Sequence, residues 1–223
     1  PLTPATDSPN PDWESDQGQA GDAANSAYLA TISSGNSIFA KTSGSAYTAP
    51  IDMSDPSLPS GTPSSLFETE RYDADTAPEM QWEFPVPSGT TVEIRLYFAE
   101  IYNGITAAGQ RVFDVSVEGS VPAAFDDIDP FARNGAVGAF MVSHTQTVTD
   151  GILNLEFIHG VENPNIKAIE ILDTGGVPTN LPPVVTNPGP QLSVDGDVVS
   201  IPIQASDTDP CTGLTYSATG LPP

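Results

Sequence analysis

Two runs of alternating apolar residues stand out along the chain, Val92-Ile94-Leu96 and Val112-Phe113-Val115-Val117, with a short polar connection between them. A period of two is the strand period, so each run reads as a half-buried β-strand and the two together as an antiparallel pair. Met80-Trp82-Phe84-Val86 is a third clean alternation. Further strands are expected over Gly138 to Thr149, Leu153 to Ile158 and Ile166 to Leu172, with Thr149-Asp150-Gly151 turning between the first two. One helical turn is expected near Ser64 to Phe67, inside a proline-punctuated loop from Ile51 to Tyr72. Several short strands without strong helices predict an all-β chain arranged as a β-sandwich.

Punctuation divides the chain into a Pro-rich tail (1–12), a main domain (13–174), a Gly/Pro linker (175–183) and a second set of alternating strands (184–223) with an Asp195-Gly196 turn. The polar connection carries Glu100, Tyr102, Asn103 and Gly104, which a strand scaffold would hold on a loop, where functional groups concentrate. An aromatic ring offers a face to apolar C–H surface, and planar carboxylates or amides pair with neighbouring hydroxyls, a combination that suits a polyhydroxylated ligand. Three places supply such groups: Tyr72, Tyr102 with Asn103, and Glu162 with Asn163, all read as loops. A tyrosine at a strand end is equally at home as a core-edge residue with its hydroxyl in water. Glu70 with Arg71, and Glu100 with Arg111, are expected to be intramolecular ion pairs, because arginine is scarce here.

The stretch FAEIYNG followed by RVFDVSVEG resembles the signature of the malectin family of carbohydrate-binding domains. The resemblance continues at TERY (Thr69 to Tyr72) and at GVENPNIKAIEIL (Gly160 to Leu172), in the family's order, from about residue 10 to residue 174. It implies a two-sheet sandwich and an extracellular, non-catalytic module binding an oligo- or polysaccharide, with a glucan as one possibility. Carried over by position, it implies a sugar pocket lined by Tyr72, Tyr102 and Glu162, and Tyr47 in SGSAYTAP aligns loosely with a further pocket tyrosine. Asn103 stands where the animal malectin pattern has a second aromatic, and Glu162 where it has Asp. Residues 184–223 resemble the first part of the Ig-like or cadherin-like modules of bacterial surface proteins, notably in LTYSATGLPP. A sheet of three strands with one wet apolar face is expected to lean on a neighbour, so self-association into a fibre or surface layer is the alternative role.

The 223 residues include 29 acidic and 6 basic ones, a formal net charge of -23. Such a surface repels nucleic acid and anionic lipid, which clustered Lys and Arg would be needed to bind. It suits either solubility in concentrated salt or an ordinary acidic secreted protein. No run approaches the length of a membrane-spanning helix, so no membrane insertion is expected. The opening PLTPATDSPNPDW lacks the basic and apolar regions of a secretory signal. Cys211 has no internal partner and no neighbouring base, which argues against a catalytic thiol.

Asp126, Asp127 and Asp129 in FDDIDPF, and Asp207 and Asp209 in ASDTDP, are weak Ca²⁺ candidates without EF-hand spacing. Apart from these, no cofactor is expected. His144 and His159 stand alone in sequence, which gives no zinc pattern and a structural role for both. Glycoside hydrolysis needs two carboxyls flanking one bond, and a surplus of acids does not supply that placement.

Overall fold

The computed structural model describes residues 13, 29–31, 36–74, 76–174, 184–189, 194, 200, 201 and 204–206. The chain divides into two units, Pro1–Gly176 and Val177–Pro223. In the first, the strands are β1 (Leu29–Thr31), β2 (Asn36–Ala40), β3 (Thr69–Asp73), β4 (Met80–Pro85), β5 (Thr91–Phe98), β6 (Val112–Val117), β7 (Phe140–Thr147), β8 (Ile152–Val161), β9 (Asn165–Ile166) and β10 (Ala168–Asp173). Among the described residues, helix is confined to a 3₁₀ turn at Ser64–Phe67 and a five-residue helix α1 at Pro130–Asn134. The fold is all-β, and its sheets are antiparallel. In the second unit, β11 (Val184–Thr186) and β12 (Gln204–Ser206) form an antiparallel pair. The Asp195-Gly196 turn and Cys211 fall outside the described residues.

Two sheets enclose the main core, one ordered β1-β4-β8-β6 and the other β10-β5-β7. Their facing positions follow the period of two. Met80 and Trp82 on β4, Phe113, Val115 and Val117 on β6, and Leu153, Leu155 and Phe157 on β8 meet Val92, Ile94, Leu96 and Phe98 on β5. At its C-terminal end strand β5 is buried on both faces: Tyr97, and Ala99 just after the strand, pack against Leu66, Phe67, Ile101 and Ala139 in a second apolar cluster. That second cover explains why the 51–67 segment, rich in Pro and Ser, holds buried Leu66 and Phe67 at its end.

The expected pairing of the two signature strands is not what forms. Strand β5 pairs with β7 and β10, whereas β6 pairs with β8. The two lie in opposite sheets, and the Phe98 and Phe113 rings meet edge-on across the core with centroids 5.7 Å apart. Alternation reveals that one face is buried but not which strand lies alongside. Likewise, Thr149-Asp150-Gly151 joins β7 and β8 across sheets and makes no hairpin. This corner is strapped to the β4–β5 corner by Val86 N–H to Gly151 O (3.1 Å) and Gly89 N–H to Val148 O (2.7 Å). Gly151 sits at φ 96°, a conformation that side chains avoid.

A third sheet, β2-β3-β9, carries the TERY and NPNI motifs. In it Tyr72 pairs with Ser37 on one side and Asn165 on the other. Tyr72 is therefore a strand residue, not the loop residue expected.

Candidate functional site

The connection from β5 to β6 begins at Ala99 and runs alongside the 41–48 loop, Ala46 bridging to Tyr102. Tyr47 N–H donates to Ile101 O (2.9 Å), and Asn103 N–H donates to Ser45 O (2.9 Å). Tyr47 also gives its hydroxyl to Ile105 O (2.5 Å), so its ring is half-buried with the donor engaged within the protein. Burial, followed by the nearby Glu100 charge, raises the Tyr47 pKa. Asn103 is exposed.

Tyr102 is half-buried and meets Phe39 of β2 edge-on, with ring centroids 5.7 Å apart. Phe39 pairs with Glu70, and Ser37 with Tyr72, so Phe39 and Tyr72 share one face of the third sheet as diagonal neighbours. Through Phe39, the structure brings Tyr102 and Tyr72 to that same face. A methyl on Gly104 would lie 2.4 Å from Tyr102 Cε1, so the ring lies over this position and would have to shift to admit any side chain there.

Glu162 is exposed in the turn between β8 and β9, at φ 59°, the left-handed region that costs a non-glycine residue about 1 kcal/mol. The adjacent Asn163 carbonyl accepts from Arg111 Nη1. Arg111 Nε also donates to Glu100 Oε2 at 2.7 Å, with both side chains buried. The other Glu100 oxygen accepts the Tyr102 N–H at 2.9 Å. The expected Glu100–Arg111 pair thus forms. Its outer contacts hold Tyr102 on one side and the Glu162–Asn163 turn on the other.

The Glu70–Arg71 pair does not form, because neighbours on a strand point to opposite faces. Glu70 instead meets Lys167 Nζ at 2.5 Å and Asn165 Nδ2 at 3.0 Å. The Lys167 side chain is fully buried, which lowers its pKa, opposed by the charges of Glu70 and Glu100. Burial raises the Glu100 pKa, against Arg111 and the Tyr102 N–H. Two of the chain's six cations are therefore committed to buried carboxylates, Arg111 to Glu100 and Lys167 to Glu70. Lys167 and Phe39 carry no site signal in the sequence that singles them out, beyond the lone lysine inside the NPNIK motif.

Of the acidic candidates, Asp129 is spent on structure. It caps α1 by accepting Ala132 N–H (2.8 Å) and also takes Gly109 N–H (2.6 Å). Asp126 and Asp127 are exposed and converge with Asp114, one oxygen from each lying within 4.8 Å of the others. Asp207 and Asp209 lie outside the described residues.

A family model for the malectin domain matches residues 3–174, and the chain belongs to that family. Receptor-like protein 4 of Arabidopsis thaliana is 31% identical over 93 residues, which are 42% of this chain and 14% of that protein. Among solved structures, the ANX2 ectodomain of Arabidopsis thaliana superposes with a TM-score of 0.53 at 16% identity, covering 67% of this chain and 43% of that one. The ANXUR1 extracellular domain of the same plant gives 0.51 at 15% identity, covering 67% and 41%. The chain spans less than half of each of these three relatives, and the two structures share its fold.

Proposed function

We propose that this chain is an extracellular, non-catalytic carbohydrate-binding module whose ligand, a neutral oligo- or polysaccharide, is gripped by Tyr72, Tyr102, Asn103 and Glu162. The observation that carries the reading is the shared sheet face of Tyr72 and Tyr102, with exposed Asn103 and Glu162 on the two segments held by the Glu100–Arg111 pair. Aromatic rings offer a surface to the apolar side of a pyranose, and the amide and carboxylate offer partners to its hydroxyls. Tyr47 contributes ring surface but not its hydroxyl proton, which Ile105 holds. A net charge of -23 selects against anionic glycans. Family membership supports the reading. Among the described residues no helix is long and apolar enough to cross a membrane. The test is a glycan array probed with the 223-residue chain at low and high salt, with and without Ca²⁺. Selective retention of neutral glycans is expected. No retention, or retention of polyanions only, overturns the reading.

A further inference from the structure

Asp73, Glu79 and His159 come from three segments: the last residue of β3, the residue before β4, and β8, whose Phe157 pairs with Met80. One ligand atom from each lies within 4.8 Å of the others. Asp73 is buried, and Glu79 and His159 are half-buried. We propose that these three side chains form a binding site for a divalent ion of the zinc type. The proposal does not depend on the sugar reading.

The imidazole of His159 is held at both of its nitrogens. His159 Nε2 lies 2.9 Å from the main-chain oxygen of Asp73. A carbonyl can only accept, so Nε2 carries the hydrogen and the ring is fixed in orientation. Nδ1 is thereby turned toward Glu79 and hydrogen-bonded to its Oε2 at 2.5 Å, a contact whose proton an ion would displace. Metal-ligating histidines are held in this way, donating the far ring N–H to a backbone carbonyl while the near nitrogen faces the ion. An imidazole nitrogen with two carboxylates suits Zn²⁺ and similar ions, with water completing the shell, whereas Ca²⁺ prefers six to eight oxygens. With bonds of about 2.0 to 2.2 Å, neighbouring ligands around a tetrahedral zinc stand roughly 3.3 to 3.6 Å apart, so Glu79 must retreat from His159 by about 1 Å, a shift open to a half-buried side chain on a connection. A net charge of -23 makes the surrounding field favourable to a cation. Sequence spacing hides the site, because 86 residues separate His159 from Asp73. The ion would pin together β3, β4 and β8 next to Tyr72.

Calorimetric titration of the 223-residue chain with Zn²⁺, and separately with Ca²⁺, tests this. One equivalent of Zn²⁺ is expected to bind, and Ca²⁺ is expected not to reproduce it. His159→Gln and Glu79→Gln are each expected to weaken Zn²⁺ binding by about 10-fold or more, while Asp114→Asn, in the exposed acidic cluster, leaves it unchanged. If His159→Gln fails to fold, Glu79→Gln carries the test, since that residue lies on a connection. No saturable Zn²⁺ binding up to about 1 mM overturns the proposal, as does binding that survives Glu79→Gln or is lost in Asp114→Asn.

Discussion

Arg111 joins two segments of the molecule through Glu100: the guanidinium lies 2.7 Å from the Glu100 carboxylate and also holds the carbonyl of Asn163. Glu100 in turn fixes the Tyr102 amide. A surface pair would contribute little, but this pair is removed from water, so losing one partner strands a buried charge. Arg111→Met should therefore lower unfolding stability by about 3 to 5 kcal/mol in urea denaturation. Adding Glu100→Gln to that variant should recover part of the loss, because the stranded charge is then gone.

Tyr97 gives the fold a signature at alkaline pH. Burial, then the hydrogen bond to Glu170 at 2.6 Å, raises its pKa above the ordinary 10.0. A group with a raised folded pKa contributes stability that is complete below its unfolded pKa and is lost as pH climbs beyond it. Wild-type stability should thus exceed that of Tyr97→Phe at neutral pH, and the gap should narrow above pH 10.0. Lys167, whose pKa is lowered, acts in the opposite direction in this range but equally in both proteins, and cancels from the difference. Parallel chemical denaturation of the two proteins across this range is the check, and a gap that stays constant would refute the assignment.

Gly104 separates site from scaffold. A methyl there would strike the Tyr102 ring, a movable side chain on an exposed loop. Gly104→Ala should cost less than about 1 kcal/mol of stability, yet displace the ring and weaken glycan binding. Thermal melts run beside binding isotherms distinguish the two effects.

The acidic surface makes a prediction of its own. If like-charge repulsion strains the folded chain, the melting temperature should rise as salt is taken toward about 1 M, where the screening length falls to roughly 3 Å. A flat or falling melting temperature would leave the surplus of carboxylates without that explanation.

The strands themselves were legible because alternation marks one buried face, as at Met80-Trp82 and Ile94-Leu96. Their partners were not. Strands β5 and β6 carry the same signal whether they pair with each other or face each other across the core. Helix α1 was missed because five residues are too few for a 3.6 period, although Asp129 followed by Pro130 is a cap and first-turn signature. At the site, the Glu100–Arg111 pair could be anticipated from the scarcity of arginine. Glu70–Arg71 failed because neighbours on a strand diverge, and the true partner, Lys167, is 97 residues away. Contacts that distant come from sheet topology, which no local pattern encodes.

The central claim is that Tyr72 and Tyr102 form one sugar-binding face. It is tested most directly by isothermal titration of the best glycan from the array against the wild-type chain, Tyr102→Ala and Tyr72→Ala. Each substitution should weaken binding by about 1 to 3 kcal/mol through lost ring contact, with melting temperature little changed because both side chains are only half-buried. Binding of undiminished affinity in both variants would contradict the account.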